Sequence, residues 1–159
     1  KASYIIFLLS PHYRNFGKRL VKTPKIYFFD TGLLSNLLSI DDPAVLRTHA
    51  MRGRIFESYV VSEMKKHYFN AGSRDDLYFW RDRAGLEVDL LREEAQVLHA
   101  LEIKSGKTIA SDYFDSLQKW KKIAGGQAGK LRLLYGGEER QRRNSITVLP
   151  WQKAGNAFS

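Results

Sequence analysis

The sequence predicts an α/β fold: a mixed β-sheet flanked by helices, preceded by a small strand–helix module with a basic wing. Three observations carry this prediction. Beyond residue 43 the patterns run helix, three strands, helix, strand, strand, the order of a sheet covered by helices. Apolar residues recur at helical spacing in two long segments and alternate in the short segments between them. A hydrophobic fraction of 43% with 13% aromatics, in 159 residues, suffices for a buried core.

Residues 4–9 form the first apolar run and read as a buried strand; the run is too short to span a bilayer. Lysine followed by such a run has the outline of a signal peptide, but Ser10-Pro11-His12 looks like a turn and no small-residue cleavage site follows. A chain that opens at Lys1 reads most simply as a fragment of something longer, with processing as the alternative. Residues 10–22 are polar and basic. Residues 26–29 form a second strand, after which Asp30 and Thr31 cap a short helix through Leu33, Leu34, Leu37 and Leu38. Asp41-Asp42-Pro43 breaks the pattern and divides the chain into a basic N-terminal module, residues 1–42, and a main domain, residues 43–159.

The main domain opens with an amphipathic helix over about residues 51–69, on which Ile55, Phe56, Val60, Met64 and Tyr68 recur at helical spacing and which Gly72 stops. Strands follow over residues 77–81, 87–91 and 97–104. A second helix covers residues 111–124, acidic at its start (Asp112, Asp115) and basic at its end (Lys119, Lys121, Lys122), as the helix dipole favours. Residues 131–135 and 146–149 are the last strands; the charged run 138–143 between them reads as a solvated turn.

Charge and cysteine content narrow the function classes. Twenty-six basic against 17 acidic residues give a net charge of +9, which favours nucleic acid, DNA in the first instance, as a partner. The alternatives are an inert basic surface or a face that docks an acidic protein. Arg14, Lys18, Arg19 and Lys22 are the candidate phosphate contacts. The absence of cysteine excludes disulfides, thiol catalysis and zinc ribbons, and suits a cytoplasmic location. The four histidines lack paired metal-ligand spacing and read as surface or edge residues.

The chemistry concentrates in four side chains. Strand alternation places Glu87 and Asp89 on one face, opposite Val88 and Leu90, and places Glu102 and Lys104 together on the next strand. A hairpin through Ala95-Gln96, a poor two-residue turn, sets Asp89 opposite Glu102 with their Cβ atoms ~5 Å apart. Two carboxylates so close need a cation, and oxygen ligands suit Mg2+ or Mn2+. Lys104 then points into the same pocket, able to orient or deprotonate water or to offset developing charge. Glu57 shares a helix row with Val61, Met64 and Tyr68, so its carboxylate borders the packed face and needs a partner. Each element alone has a plainer reading, a surface Glu-x-Lys pair or a helix-edge glutamate; the combination in helix–strand–strand order points to a site.

The order Glu57, Val88-Asp89, Glu102-Ile103-Lys104 resembles the PD-(D/E)xK phosphodiesterase superfamily. More closely, Gly53-Arg54-Ile55-Phe56-Glu57, Phe79-Trp80-Arg81, Glu87-Val88-Asp89-Leu90 and Glu102-Ile103-Lys104-Ser105-Gly106 look like the C-terminal domain of unknown function of bacterial and archaeal AAA-type ATPases. The string Lys25-Ile26-Tyr27-Phe28-Phe29-Asp30-Thr31-Gly32-Leu33 is similar to that domain's opening part. The resemblance implies a restriction-endonuclease-like sheet, with Asp89 and Glu102 holding Mg2+ or Mn2+, Lys104 acting on the nucleophile, Glu57 completing the acidic pocket and Gln118 as an accessory residue. Val88 stands where the motif has Pro, a position often replaced in the superfamily. The ATPase domain implied by the resemblance is expected as a partner in a longer protein, because no ATP site lies in this chain: Gly106-Lys107-Thr108 lacks the glycine a Walker A loop needs five positions earlier, where Leu101 stands.

The leading expectation is therefore a nuclease-like domain that binds nucleic acid and hydrolyses phosphodiester bonds with Mg2+. The alternative is a catalytically inactive module of the same fold serving DNA binding or protein docking. A third reading leaves DNA binding to the basic opening module and makes the acids structural.

Overall fold

The computed structural model describes residues 4–14, 16–17, 19–74 and 76–159. Its centre is a six-stranded mixed sheet of order β3-β4-β5-β6-β8-β7, with helices packed on it, beside a two-stranded N-terminal sheet.

In the N-terminal part, β1 (Ile6–Leu9) and β2 (Lys25–Phe28) pair antiparallel, Ile6 opposite Phe28. Alternation buries Phe7, Leu9 and Tyr27 and leaves Ile6, Leu8 and Ile26 outward. Asp30 caps α1 (Thr31–Leu37) as its position suggests: its Oδ1 accepts from the amides of Gly32 at 2.7 Å and Leu33 at 3.1 Å. Asp42 does the same for α2 (Pro43–Thr48), with proline in the first turn, so the break at residues 41–43 is a helix start.

The long helix α3 spans Arg52–Asn70 and buries Ile55, Val60, Val61, Met64 and Tyr68. Strands β3 (Leu77–Arg81), β4 (Glu87–Glu94) and β5 (Val97–Lys104) form an antiparallel meander. A 3-10 turn at Ser111–Phe114 leads into α4 (Asp115–Ala124), which crosses back so that β6 (Ala128–Tyr135) runs parallel to β5. β8 (Ile146–Pro150) is parallel to β6, and β7 (Gln141–Arg143) closes the sheet antiparallel to β8. The turn expected at residues 138–143 thus contains a strand. Three residues, two of them exposed arginines, are too few to write an alternation into the sequence.

The sheet divides two cores. On one face Val60, Val61 and Met64 of α3 meet Leu90, Leu101, Ile103 and Leu134, and the inner residues of β1–β2 join the same cluster. On the other, Leu117 and Trp120 of α4 meet Trp80, Leu98, Ala100, Leu133 and Val148. Among the described residues no helix is long and apolar enough to cross a membrane.

The N-terminal segment shields the edge strand β3. The His12 amide donates to Phe79 O at 2.7 Å, Val21 to Arg81 O at 3.0 Å, and Arg83 to Arg19 O at 2.8 Å, so a row of backbone groups that would invite foreign strands is occupied. His12, read as a surface or edge residue, lies against the edge strand and is 1% exposed, with Nε2 3.1 Å from Glu93 Oε2. Burial lowers its pKa despite that partner.

The hairpin between β4 and β5 turns at Ala95 (φ 48) and Gln96 (φ 69), both left-handed, the conformation a two-residue type I′ turn needs. Non-glycine residues in that region cost roughly 1–2 kcal/mol each. Replacing Ala95-Gln96 by Asn-Gly should stabilise the chain by about 1 kcal/mol, or about 2–4 °C in Tm for a domain of this size. Thermal unfolding checks this; a neutral or lower Tm would mean that the turn is not left-handed at both positions.

Candidate metal centre

Strand β4 carries the acids, and a bulge decides where they point. Between Tyr78↔Leu91 and Trp80↔Val88, β4 spends three residue steps against two on β3. Val88 and Leu91 therefore both belong to the α4-side core, while Leu90 belongs to the α3-side core. Glu87 and Asp89 emerge towards α3, where Glu57 waits. One oxygen from each of Glu57, Glu87 and Asp89 lies within 4.8 Å of the others, ligand spacing for a single hard cation.

Glu102 takes a different place from the one expected. Pairing of β4 with β5 begins at Leu90↔Leu101, so Asp89 and Glu102 stand at the same level. The bulge, however, turns Asp89 to the α3 side, whereas alternation sends Glu102 and Lys104 away from Leu101 and Ile103, towards α4. In place of a ladder bond, the Ile103 amide donates to Asp89 Oδ2 at 2.8 Å. Glu102, 4% exposed, gives Oε1 to Lys104 Nζ at 2.7 Å, and its buried Oε2 has no hydrogen-bond partner. The sequence reading missed Glu87 as a third carboxylate of the oxygen cluster, although strand alternation had already aligned it with Asp89.

The unforeseen residue is Lys25. Its ammonium, on β2, is 2.9 Å from Glu57 Oε1 and also ion-paired with Glu87. Tyr27, two residues on and hence on the same face, donates to Glu57 Oε1 at 2.5 Å. Nothing local announces this contact, because strand and helix meet only in the tertiary fold; the only trace was that Lys25 opens the β2 motif string.

These groups surround a cavity of about 480 Å³ lined also by Gly53, Arg54, Arg81, Lys104, Ser105 and Tyr113. α3 begins there without a side-chain cap, and Gly53 and Arg54 of its first turn line the opening. Burial, then the charges of Glu102 and Glu57, pushes the Asp89 carboxyl well above the usual carboxylate range. Burial likewise raises Glu102 against the pull of Lys104. For Lys25 and Lys104 burial acts to lower the pKa, but the neighbouring carboxylates prevail and raise both, so the two ammonium groups stay charged. Oxygen-only donors and the close spacing of Glu57, Glu87 and Asp89 fit Mg2+ or Mn2+.

Other candidate residues lie elsewhere. Gln118 is half-buried on α4 and does not line the cavity. Arg14 is a staple: its guanidinium bonds Glu93, Gln96 O and Gln127 at 2.9, 3.1 and 3.0 Å, and its carbonyl accepts from the Trp80 indole. Arg19 and Lys22 are exposed along the covered edge of β3. Lys18 lies outside the described residues.

A carboxyl with a raised pKa binds its proton more tightly in the folded chain than in the unfolded one. Stability contributed by this protonation is therefore lost as pH rises from the ordinary carboxylate range through the raised one. Asp89→Asn, which keeps an oxygen for the Ile103 amide, should melt higher than the parent at pH 7.5, with the advantage shrinking towards pH 4. Thermal unfolding across that range decides it; a variant less stable at neutral pH would contradict the buried, mutually repelling acids.

A family profile described as a domain of unknown function (DUF4143) matches residues 52–154. A second, also described as a domain of unknown function (DUF8612), matches residues 1–44. The uncharacterized protein Rv2008c of Mycobacterium tuberculosis and the uncharacterized protein Mb2031c of Mycobacterium bovis are each 32% identical to the chain over 136 residues, which is 86% of this chain and 29% of theirs. The chain thus spans under a third of the length of these relatives. With α3, the six-stranded sheet and every carboxylate of the site inside the matched region, the chain belongs to the DUF4143 family.

Proposed function

We propose that this chain is a restriction-endonuclease-like, metal-dependent phosphodiesterase domain acting on nucleic acid, DNA first. One observation carries the reading: Glu57, Glu87 and Asp89 bring oxygens within 4.8 Å of one another in a cavity that Lys104 also lines. The antiparallel β3-β4-β5 meander followed by a parallel β6, with the acids on β4 and β5 and a glutamate on the preceding helix, supports the likeness to PD-(D/E)xK enzymes.

Glu57, Glu87 and Asp89 would hold Mg2+ or Mn2+, with Glu102 behind them. A bound divalent ion supplies an activated water and polarises the phosphoryl oxygen. Arg54 and Arg81 at the cavity wall, with the uncapped start of α3, receive the phosphodiester. Lys104, held charged by Glu102, offsets negative charge growing on the phosphorane; the same contact disfavours it as a base. Arg19 and Lys22 extend the phosphate contacts along β3, consistent with the +9 net charge. An AAA-type ATPase as partner within a longer protein rests on the resemblance of the motif strings.

Lys25 favours a second reading, an inactive module for DNA binding or protein docking. Its ammonium already neutralises two of the three acids, as a structural replacement for the ion would. Metal binding separates the readings. Titration with Mn2+, followed by electron paramagnetic resonance, should show one bound ion, lost in Asp89→Asn and bound about tenfold more tightly in Lys25→Gln. Absence of any bound ion in both parent and Lys25→Gln would leave the inactive module.

Activity is the second test. Plasmid and single-stranded DNA incubated with Mg2+ or Mn2+ should be cut, with EDTA abolishing cleavage and Lys104→Ala, which removes the charge that stabilises the phosphorane, reducing it at least about 100-fold. Equal cleavage by the Lys104→Ala protein would assign the activity to a contaminant and remove the proposal.

A further inference from the structure

Beyond the carboxyl ends of β5, β6 and β8 lies a second cavity, of about 740 Å³, walled by α1, α2 and the first turns of α3. In sheets with parallel strands this end is where ligands bind, and the volume suits a small organic molecule. The loops after β5 and β6 are pressed together beneath it. The Gly136 amide donates to Lys104 O and Gly106 O, each at 3.0 Å, and a Cβ at Gly136 would lie 2.4 Å from Ser105 O, so only glycine permits this approach.

One wall is aromatic. Phe56 and Tyr59 have ring centres 6.5 Å apart, and Tyr59 and Trp151 6.1 Å apart, all tilted against one another. Trp151 is 37% exposed, whereas Trp80 and Trp120 are fully buried. The rest of the rim is cationic. Arg47, Arg52 and Lys107 line the cavity against one acid, Glu138. Arg52 is held in place by bonds from its guanidinium to Arg47 O at 3.3 Å and Ser105 O at 2.7 Å. Neither Arg47 nor Lys107 has an ion-pair partner among the described residues. An aromatic shelf beside surplus positive charge matches a planar heterocycle joined to a phosphate.

We propose that this cavity seats one nucleotide, its base against Tyr59 and Trp151 and its phosphate against Arg47 and Lys107. Ser105 lines both this cavity and the acidic one, so a residue held here is the neighbour of a phosphodiester presented to the acids. The inference deepens the reading of a polynucleotide substrate and rests on it for that role, but binding is tested without metal. The nucleotide unit has two sources, a free mononucleotide or a residue of a strand.

Trp151 provides the signal, because the other two tryptophans are shielded. In EDTA, the intrinsic fluorescence of the full chain is titrated with adenosine monophosphate, adenosine, ribose 5-phosphate and a pentadeoxynucleotide. Saturable quenching by the monophosphate assigns the site to free nucleotides as well as strands; saturation by the pentanucleotide alone assigns it to a residue of a strand. Adenosine and ribose 5-phosphate should each bind at least about tenfold more weakly than the tighter nucleotide ligand. Trp151→Phe should abolish the signal, and Arg47→Ala with Lys107→Ala, both exposed positions, should weaken nucleotide binding about tenfold while sparing adenosine. No saturable quenching by either nucleotide ligand, or equal binding of ribose 5-phosphate, overturns the proposal. Quenching in EDTA without cleavage in Mg2+ would defeat the hydrolytic reading and keep this one; cleavage without quenching would do the reverse.

Discussion

Three carboxylates packed against a sheet cannot all keep their charge without a cation among them, and that constraint organises the molecule. Glu57 comes from α3, Glu87 and Asp89 from β4, and Lys25, the cation present, from β2. One ammonium thus ties the N-terminal sheet, the long helix and the central sheet together. The attachment is cooperative with packing: Tyr27, next on the same face of β2, donates its hydroxyl to Glu57 and buries its ring among Val60, Val61 and Leu101. Position of the hairpin and charge of the site are therefore one variable. A shift of β1–β2 would strand two acids, and a divalent ion entering among them would have to share them with Lys25 or displace it.

The bulge in β4 is the second determinant. An unbroken strand would put Asp89 on the α4 face with Glu102, two acids side by side and both far from Glu57. The extra residue sends Asp89 through to α3 while Leu91 stays in register with Ala100. The result is a site built from both sides of one sheet. Asp89 and Glu102 flank the Ile103 backbone, whose amide bonds Asp89, and the charge of Glu102 helps to raise the Asp89 carboxyl.

Much of this was legible in the sequence where structure is local. The bounds of β3 and β5 follow from their alternation, α3 from its 3.6-residue period, and α1 from its capping aspartate. The buried row Val61, Met64, Tyr68 placed Glu57 on the packed face, and the structure keeps it there, half-covered at the row's end. What failed was of another kind. Alternation assumes a regular pleat, and neither Val88 nor Leu90 marks a bulge; Asp89 was accordingly assigned the right partner level and the wrong face. Lys25 was invisible as a site residue because its contacts lie 32 and 62 positions away on other elements. His12 was read as a surface or edge residue for want of paired ligand spacing; it is buried because the segment carrying it lies along the edge strand β3.

The protonation state of Lys104 bears on chemistry more than its proximity does. A lysine serves as a general base when burial lowers its pKa. Here burial acts in that direction but is outweighed by Glu102, 2.7 Å away, and by Asp89. The ammonium is then an electrostatic device: it carries the charge that a pentacovalent phosphate develops, and it lets Glu102 remain in an almost dry environment. A metal bound at Glu57, Glu87 and Asp89 would draw negative charge away from Lys104 and lower its pKa from this starting point, yet Glu102, outside that trio, would still hold the proton in place. Glu102 thereby acts through Lys104, as the group that keeps it charged.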